Sequence, residues 1–122
     1  MSSKESFLVN RLKSIKYAFH GAFLLIKKES SIKIQVCIAI AITLAGFIYN
    51  ISTTEWMAQI LAIALVIGTE ALNTAIEEVA NFIHPEYHSK IGYIKDIAAG
   101  AVFIAAFFAS IIGLMIYLPK VF

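Results

Sequence analysis

Four polar side chains in an apolar setting carry the chemistry of this sequence: Glu70, Asn73, Glu77 and Asn81. Their spacing of three, then four, then four residues puts them within roughly 80° of one another at ~100° per residue, so on a helix they form one stripe. Thr74 lies under the same stripe, while Leu65, Leu72, Ile76, Val79 and Ile83 face elsewhere. A carboxylate at membrane depth costs at least a few kcal/mol on insertion scales (~2.5–3.5 for Asp), so such groups mark a polar cavity or a functional site rather than a lipid-facing surface. Gluing helices together is the plainer role for Glu70 and Asn73, but it does not require two carboxylates seven residues apart.

The surrounding composition makes membrane depth the right frame. Of 122 residues, 60% are apolar and 15% charged, against roughly half and a quarter in soluble domains. A core of this size leaves much of its surface in water, so a soluble fold could not hide this many apolar side chains. Stretches 34–51, 56–76 and 97–118 each approach the roughly 20 residues needed to cross a ~30 Å hydrocarbon core and are read as transmembrane helices. Ahead of them, residues 7–28 repeat Leu8, Leu12, Ile15, Phe19, Ala22, Phe23 and Ile26 at three- and four-residue steps, the pattern of an amphipathic surface helix. The fold class is therefore all-α and integral to the membrane, a single domain over 1–122 with one surface helix and three spans.

Basic residues orient the chain. Lys4, Arg11, Lys13, Lys16, Lys27, Lys28 and Lys33 precede the first span, Lys90 and Lys95 follow the second, and only Lys120 falls on the other side. The positive-inside rule makes the N-terminus and the 82–96 loop cytoplasmic. Residues 50–55 form a short polar turn, so the first two spans are a hairpin, and Pro85 and Gly92 are read as breakers in the second loop. Nothing at Met1 to Ser6 resembles a cleavable signal peptide, and insertion through the chain's own helices is expected.

The fourteen residues 56–69 rise about 21 Å, which sets Glu70 toward the cytoplasmic side of the core, with Glu77 a further ~10 Å along at the interface. One helix face thus joins a lipid-depth carboxylate to a water-depth one. Glu29, Lys95 and Asp96 fall at the same interfacial level. Phosphoryl transfer needs carboxylates to hold Mg²⁺, a cation to offset phosphate charge and a group that orients the nucleophilic hydroxyl, and the chain offers a candidate for each.

Other constellations are weaker. Cys37, the one cysteine, reads as a small buried hydrophobe, and Gly100 and Gly113 read as close-packing points between helices. His84 and His88 have a metal-pair spacing, but Pro85 intervenes and no third ligand is near. No Walker-type or kinase-type glycine loop is present, and a net charge of +2 gives no reason to expect nucleic-acid binding. A channel or transporter subunit with a polar intramembrane path is the competing class, but the stripe finds only Gln59 between residue 56 and Gly68 and stops halfway.

The run Glu70-Ala-Leu-Asn-Thr-Ala-Ile-Glu77, followed by Pro85-Glu-Tyr-His88 and Ile94-Lys-Asp-Ile-Ala-Ala-Gly-Ala-Val102, resembles the small prokaryotic diacylglycerol kinase and undecaprenol kinase family over residues 11–120. The resemblance implies a homotrimer in the bacterial cytoplasmic membrane that uses MgATP to phosphorylate a lipid alcohol, undecaprenol or diacylglycerol, at the cytoplasmic face. Carried over by position, it implies Glu70 as general base at the lipid substrate, Asn73 as its catalytic neighbour, and Glu29 and Glu77 as metal-binding carboxylates. Tyr17, Glu29, Glu77, Glu86, Tyr87, His88, Lys95 and Asp96 match nucleotide-contacting positions. Asn81 departs from the pattern, since many relatives have an acidic residue there. The 98–102 and Leu118-Pro-Lys120 features resemble the undecaprenol kinase branch more.

Overall fold

The computed structural model describes residues 6–122; Lys4 and the rest of residues 1–5, read for a signal peptide, lie outside it. Four helices follow in order: α1 (Phe7–Lys28), α2 (Ser30–Ile48), α3 (Thr53–Ile83) and α4 (Ser89–Val121). No strand occurs among the described residues. Three of the helices, α2, α3 and α4, are long and apolar enough to cross a membrane.

The first helix coincides with its expected bounds. Ser6 caps it by accepting from the Val9 N–H at 3.2 Å, and Lys27 and Lys28 end it where cations complement the helix dipole. Glu29 is the single residue between α1 and α2, with an extended backbone that turns the chain.

The spans differ from the expectation at their ends. The first is 30–48 rather than 34–51, because a Schellman turn closes it: Ile51 N–H bonds Gly46 C=O at 3.1 Å, Asn50 N–H bonds Phe47 C=O at 3.3 Å, and Asn50 sits at φ 51°. Ser52 then starts α3 with a capping box, accepting from the Glu55 N–H at 3.1 Å while the Glu55 carboxylate accepts from the Ser52 N–H at 2.9 Å. Every backbone N–H from Tyr49 to Ser52 is therefore hydrogen-bonded. Gly46 lets the Trp56 indole lie against α2, since a Cβ there would stand 2.6 Å from the ring.

The second span extends to Ile83 instead of 76, and the third begins at Ser89 instead of 97. Pro85 ends α3, because the residue before a proline is pushed out of the helical region and His84 is at φ −147°, ψ 87°. Gly92, by contrast, breaks nothing: it lies in the first turns of α4, and a Cβ there would touch the Tyr87 ring at 3.4 Å. The expected 82–96 loop is only the five residues 84–88.

Helices α3 and α4 form the principal seam, antiparallel and in constant register. Two contacts mark it: Lys120 Nζ donates to Glu55 Oε2 at 3.0 Å near the hairpin, and Lys95 Nζ donates to Asn81 Oδ1 at 2.7 Å near the 84–88 turn. They stand 26 positions apart on α3 and 25 on α4, about 39 Å of helix, close to a bilayer with its headgroup regions at ~40–45 Å. Ala98 and Ala105 are buried seven residues apart on α4, and Val66 and Ala80 are buried on α3; small residues let helix backbones approach closely.

Most large apolar side chains among the described residues are exposed, as expected for a chain solvated by lipid. Three expectations are corrected by this. Cys37 is exposed, and Gly100 and Gly113 have no neighbouring heavy atom within 4 Å of where a Cβ would stand, so neither glycine is a packing point between helices of this chain. Helices α2 and α4 are apolar around most of their length, which leaves no periodic signal for which of their faces turns inward.

Candidate functional site

The α3 stripe faces the α4 seam. Glu70 is 9% exposed, one of two buried polar residues, and its carboxylate makes no hydrogen bond among the described residues. It lies fifteen residues, about 22 Å, from Glu55 and eleven, about 16 Å, from Asn81, so it is nearer the end of the bundle with the 84–88 turn. Asn73, one turn further on, donates from Nδ2 to Glu77 Oε1 at 3.5 Å. Its Oδ1 is buried and has no partner among the described residues. A buried acceptor left open is costly unless something else supplies a donor or a cation, so this oxygen is the stripe's unpaired acceptor.

Asn81 continues the stripe past Glu77 and holds Lys95 across the turn. The turn is held by its own imidazoles: His84 Nδ1 donates to Glu86 C=O at 2.7 Å, and His88 Nδ1 caps α4 by accepting from the Lys90 N–H at 3.0 Å. The two rings lie 5.5 Å apart. Tyr87 is exposed apart from its contact with Gly92, and Glu86 and Asp96 are exposed as well.

The structure therefore joins Asn73 to Glu77 and Asn81 to Lys95, and sets Glu70 on the same face. Tyr17, Glu29, Glu86, Tyr87, His88 and Asp96 make no hydrogen bond or ion pair with the stripe among the described residues. Tyr17 is 64% exposed on α1, which packs on α2, and Glu29 is half-buried at the α1–α2 corner. No group of three His, Cys, Asp or Glu able to hold a metal occurs among the described residues. The oxygens present still suit Mg²⁺, a hard cation that keeps several waters and takes one or two carboxylates plus substrate phosphates: Glu77 and the open Asn73 Oδ1 lie together on α3.

Toward the hairpin the polarity is closed off. Tyr117 OH lies 2.5 Å from Gln59 Oε1 and 3.2 Å from Ile42 C=O, and Gln59 Nε2 donates to the same carbonyl at 3.4 Å. Sequence reasoning missed this clamp and the Glu55–Lys120 pair. Their only linear sign is that Gln59 and Tyr117, like Glu55 and Lys120, fall at equal depth in antiparallel spans. A cleft of about 570 Å³ between α2, α3 and α4, lined by Ile42, Ile63, Val66 and Gly113 among others, lies beside the clamp and not at the stripe.

An all-helical membrane protein with three spans and a carboxylate stripe that opens at one end is a narrow class. The profile of the prokaryotic diacylglycerol kinase family matches residues 16–117, and the chain belongs to that family. It is 37% identical over 108 residues to an undecaprenol kinase of Bacillus subtilis, covering 88% of each chain. It is 32% identical over 111 residues to a diacylglycerol kinase of Synechocystis sp., covering 90% of this chain and 63% of the relative. A diacylglycerol kinase of Haemophilus influenzae is 29% identical over 102 residues, covering 84% and 86%.

Proposed function

We propose that the protein is a lipid kinase that transfers the γ-phosphoryl group of ATP to the hydroxyl of a membrane lipid alcohol. The observation that carries this reading is the stripe itself: Glu70, a buried, unbonded carboxylate, shares one face of α3 with Asn73, Glu77 and Asn81, and Asn81 holds Lys95 of α4 at the end of the bundle. Family membership supplies the reaction. Undecaprenol is the acceptor we favour, supported by 37% identity to an undecaprenol kinase over nearly the full length of both chains.

The lipid hydroxyl meets Glu70, which accepts its proton as the oxygen attacks the γ-phosphorus and the bond to the β-phosphate oxygen breaks, releasing ADP. Asn73 orients the hydroxyl or the metal through its open Oδ1. Glu29 and Glu77 would hold Mg²⁺, which would supply positive charge to offset that of the phosphates. Lys95 offsets charge on the transferring group, and Tyr17, Glu86, Tyr87, His88 and Asp96 surround the nucleotide. The working assembly is a homotrimer in the bacterial cytoplasmic membrane with the 84–88 turn inside, a reading supported by the family resemblance, the basic residues at that end and the largely uncovered faces of each span.

A conduit would need the stripe to continue through the bundle. Instead Val66 is the buried residue one turn beyond Glu70, and the Gln59 amide is occupied by Tyr117 and Ile42. The test is phosphate transfer from ATP by purified protein, with undecaprenol and diacylglycerol offered side by side. Transfer to undecaprenol in preference to diacylglycerol supports the reading; preference for diacylglycerol overturns the acceptor, and transfer to neither by folded protein with Mg²⁺ overturns the lipid kinase.

A further inference from the structure

We propose that Asn81 is a positioning residue for Lys95, holding its ammonium ready for the nucleotide phosphates with a neutral acceptor that leaves the charge intact. The inference rests on the reading that Lys95 meets those phosphates. Asn81 stands in the last turn of α3 and Lys95 in the second turn of α4, and the 2.7 Å contact joins them across the 84–88 turn. A free lysine side chain is among the most mobile, and fixing it on binding would weaken the complex. Pinned to a helix beforehand, it brings that ordering already complete.

The chemistry of the partner matters as much as its place. An amide oxygen takes one of the three ammonium N–H donors and leaves two for phosphate oxygens, and it cancels none of the positive charge. Released from Asn81, Lys95 has Glu77 as the next acceptor on the same face, one turn back, where side chains four residues apart are neighbours. An ion pair there would draw both the cation and a carboxylate away from the phosphates. Asn81 thus keeps opposite charges of one site apart.

The test is steady-state kinetics in lipid or detergent with Asn81→Leu, Asn81→Asp, Lys95→Met and the Asn81→Leu/Lys95→Met pair. Asn81→Leu, similar in size and without an acceptor, is expected to raise KM for MgATP about five- to thirty-fold, the effect of one or two kcal/mol, and to change kcat less than about twofold. Asn81→Asp restores the acceptor but adds a charge at ~6 Å from a phosphate in water-like surroundings, so KM should rise about threefold, between wild type and Asn81→Leu; a KM at or above that of Asn81→Leu would overturn the positioning role of the acceptor. On the Lys95→Met background, Asn81→Leu should add nothing, because no amine remains to be positioned. Additive effects of the two substitutions, or equal losses in kcat and thermal stability with KM unmoved, would reduce the contact to a helix latch and overturn the proposal. If Lys95→Met alone leaves KM for MgATP unchanged, the nucleotide reading of Lys95 fails, and the proposal falls with it for that separate reason.

Discussion

Replacing Tyr117 with Phe removes one oxygen from the membrane half that the proposed chemistry does not use. That oxygen lies 2.5 Å from Gln59 Oε1 and 3.2 Å from Ile42 C=O; with one proton to give, it serves the shorter contact. Hydrogen bonds between membrane helices average about 0.6 kcal/mol and reach about 1.7. Gln59 is only 4% exposed, so its Oε1 would be left a buried acceptor, a further cost of ~1–3 kcal/mol, moderated because Nε2 keeps its contact with Ile42 C=O. We expect Tyr117→Phe to destabilise by about 1.5 kcal/mol and Gln59→Leu by about 1, since the hydroxyl can then turn wholly to Ile42. The double variant should lose less than their sum by about 1 kcal/mol, because neither orphan survives. Unfolding in mixed micelles by denaturing detergent, run as a double-mutant cycle, measures this. Additivity within about 0.3 kcal/mol would refute the clamp. The clamp lies eleven residues, about 16 Å, from Glu70, so turnover of folded protein should stay within about twofold of wild type; a loss of turnover without loss of stability would also refute it.

Glu70→Gln keeps size and polarity but cannot take a proton, and turnover should fall about 10²- to 10⁴-fold with KM for ATP little changed; near-normal turnover would sink the base assignment. Chelating divalent cations should abolish transfer and added Mg²⁺ restore it, and Glu77→Gln should raise the Mg²⁺ concentration giving half-maximal rate; an unshifted titration curve removes Glu77 from the metal site. Gly46→Ala would put a methyl 2.6 Å from Trp56 Cη2, with the indole already against Phe47 at 4.9 Å between ring centroids, and should destabilise by about 1–3 kcal/mol in the same unfolding assay. Wild-type stability in that variant would show that the indole is free to move.

How much of this could be read from the linear sequence depended on which signal each element carried. The surface helix was legible residue for residue, because amphipathic period and cap coincide at Ser6 and Lys28. The three spans were legible as elements but not in length. Hydropathy reports where lipid-like residues stop, whereas the backbone ladder continues through Glu77, Glu78 and Asn81 on α3 and begins at Ser89 on α4. Gly92 was misread for a related reason: a glycine in a polar stretch resembles a breaker until the Tyr87 ring that occupies its missing Cβ is seen. The stripe was legible because it is local, one helix at one period. The Asn81–Lys95 and Gln59–Tyr117 contacts were not, being 14 and 58 residues apart in the chain, and nothing in an all-apolar helix says which turn of α4 meets which turn of α3.

The extra helical turns bear on function directly. A lipid hydroxyl is held near the hydrocarbon boundary, while a nucleotide with three phosphates stays in water, and the reacting atoms must still meet at about 3–3.5 Å. A helix that ended with the hydrocarbon core could present only one of the two. Because α3 runs on to Ile83 and α4 starts at Ser89, a single helix face carries Glu70 and, about 10 Å further toward the 84–88 turn, Glu77, with Lys95 brought to the same end by α4. Rigidity there matters: sites on helices hold geometry better than sites on loops. At the other end the Gln59–Tyr117 clamp and the Glu55–Lys120 pair satisfy the polar groups of the seam among themselves. The polarity of the bundle is thus closed at one end and open at the other, the asymmetry a one-sided transfer reaction needs and a conduit does not have.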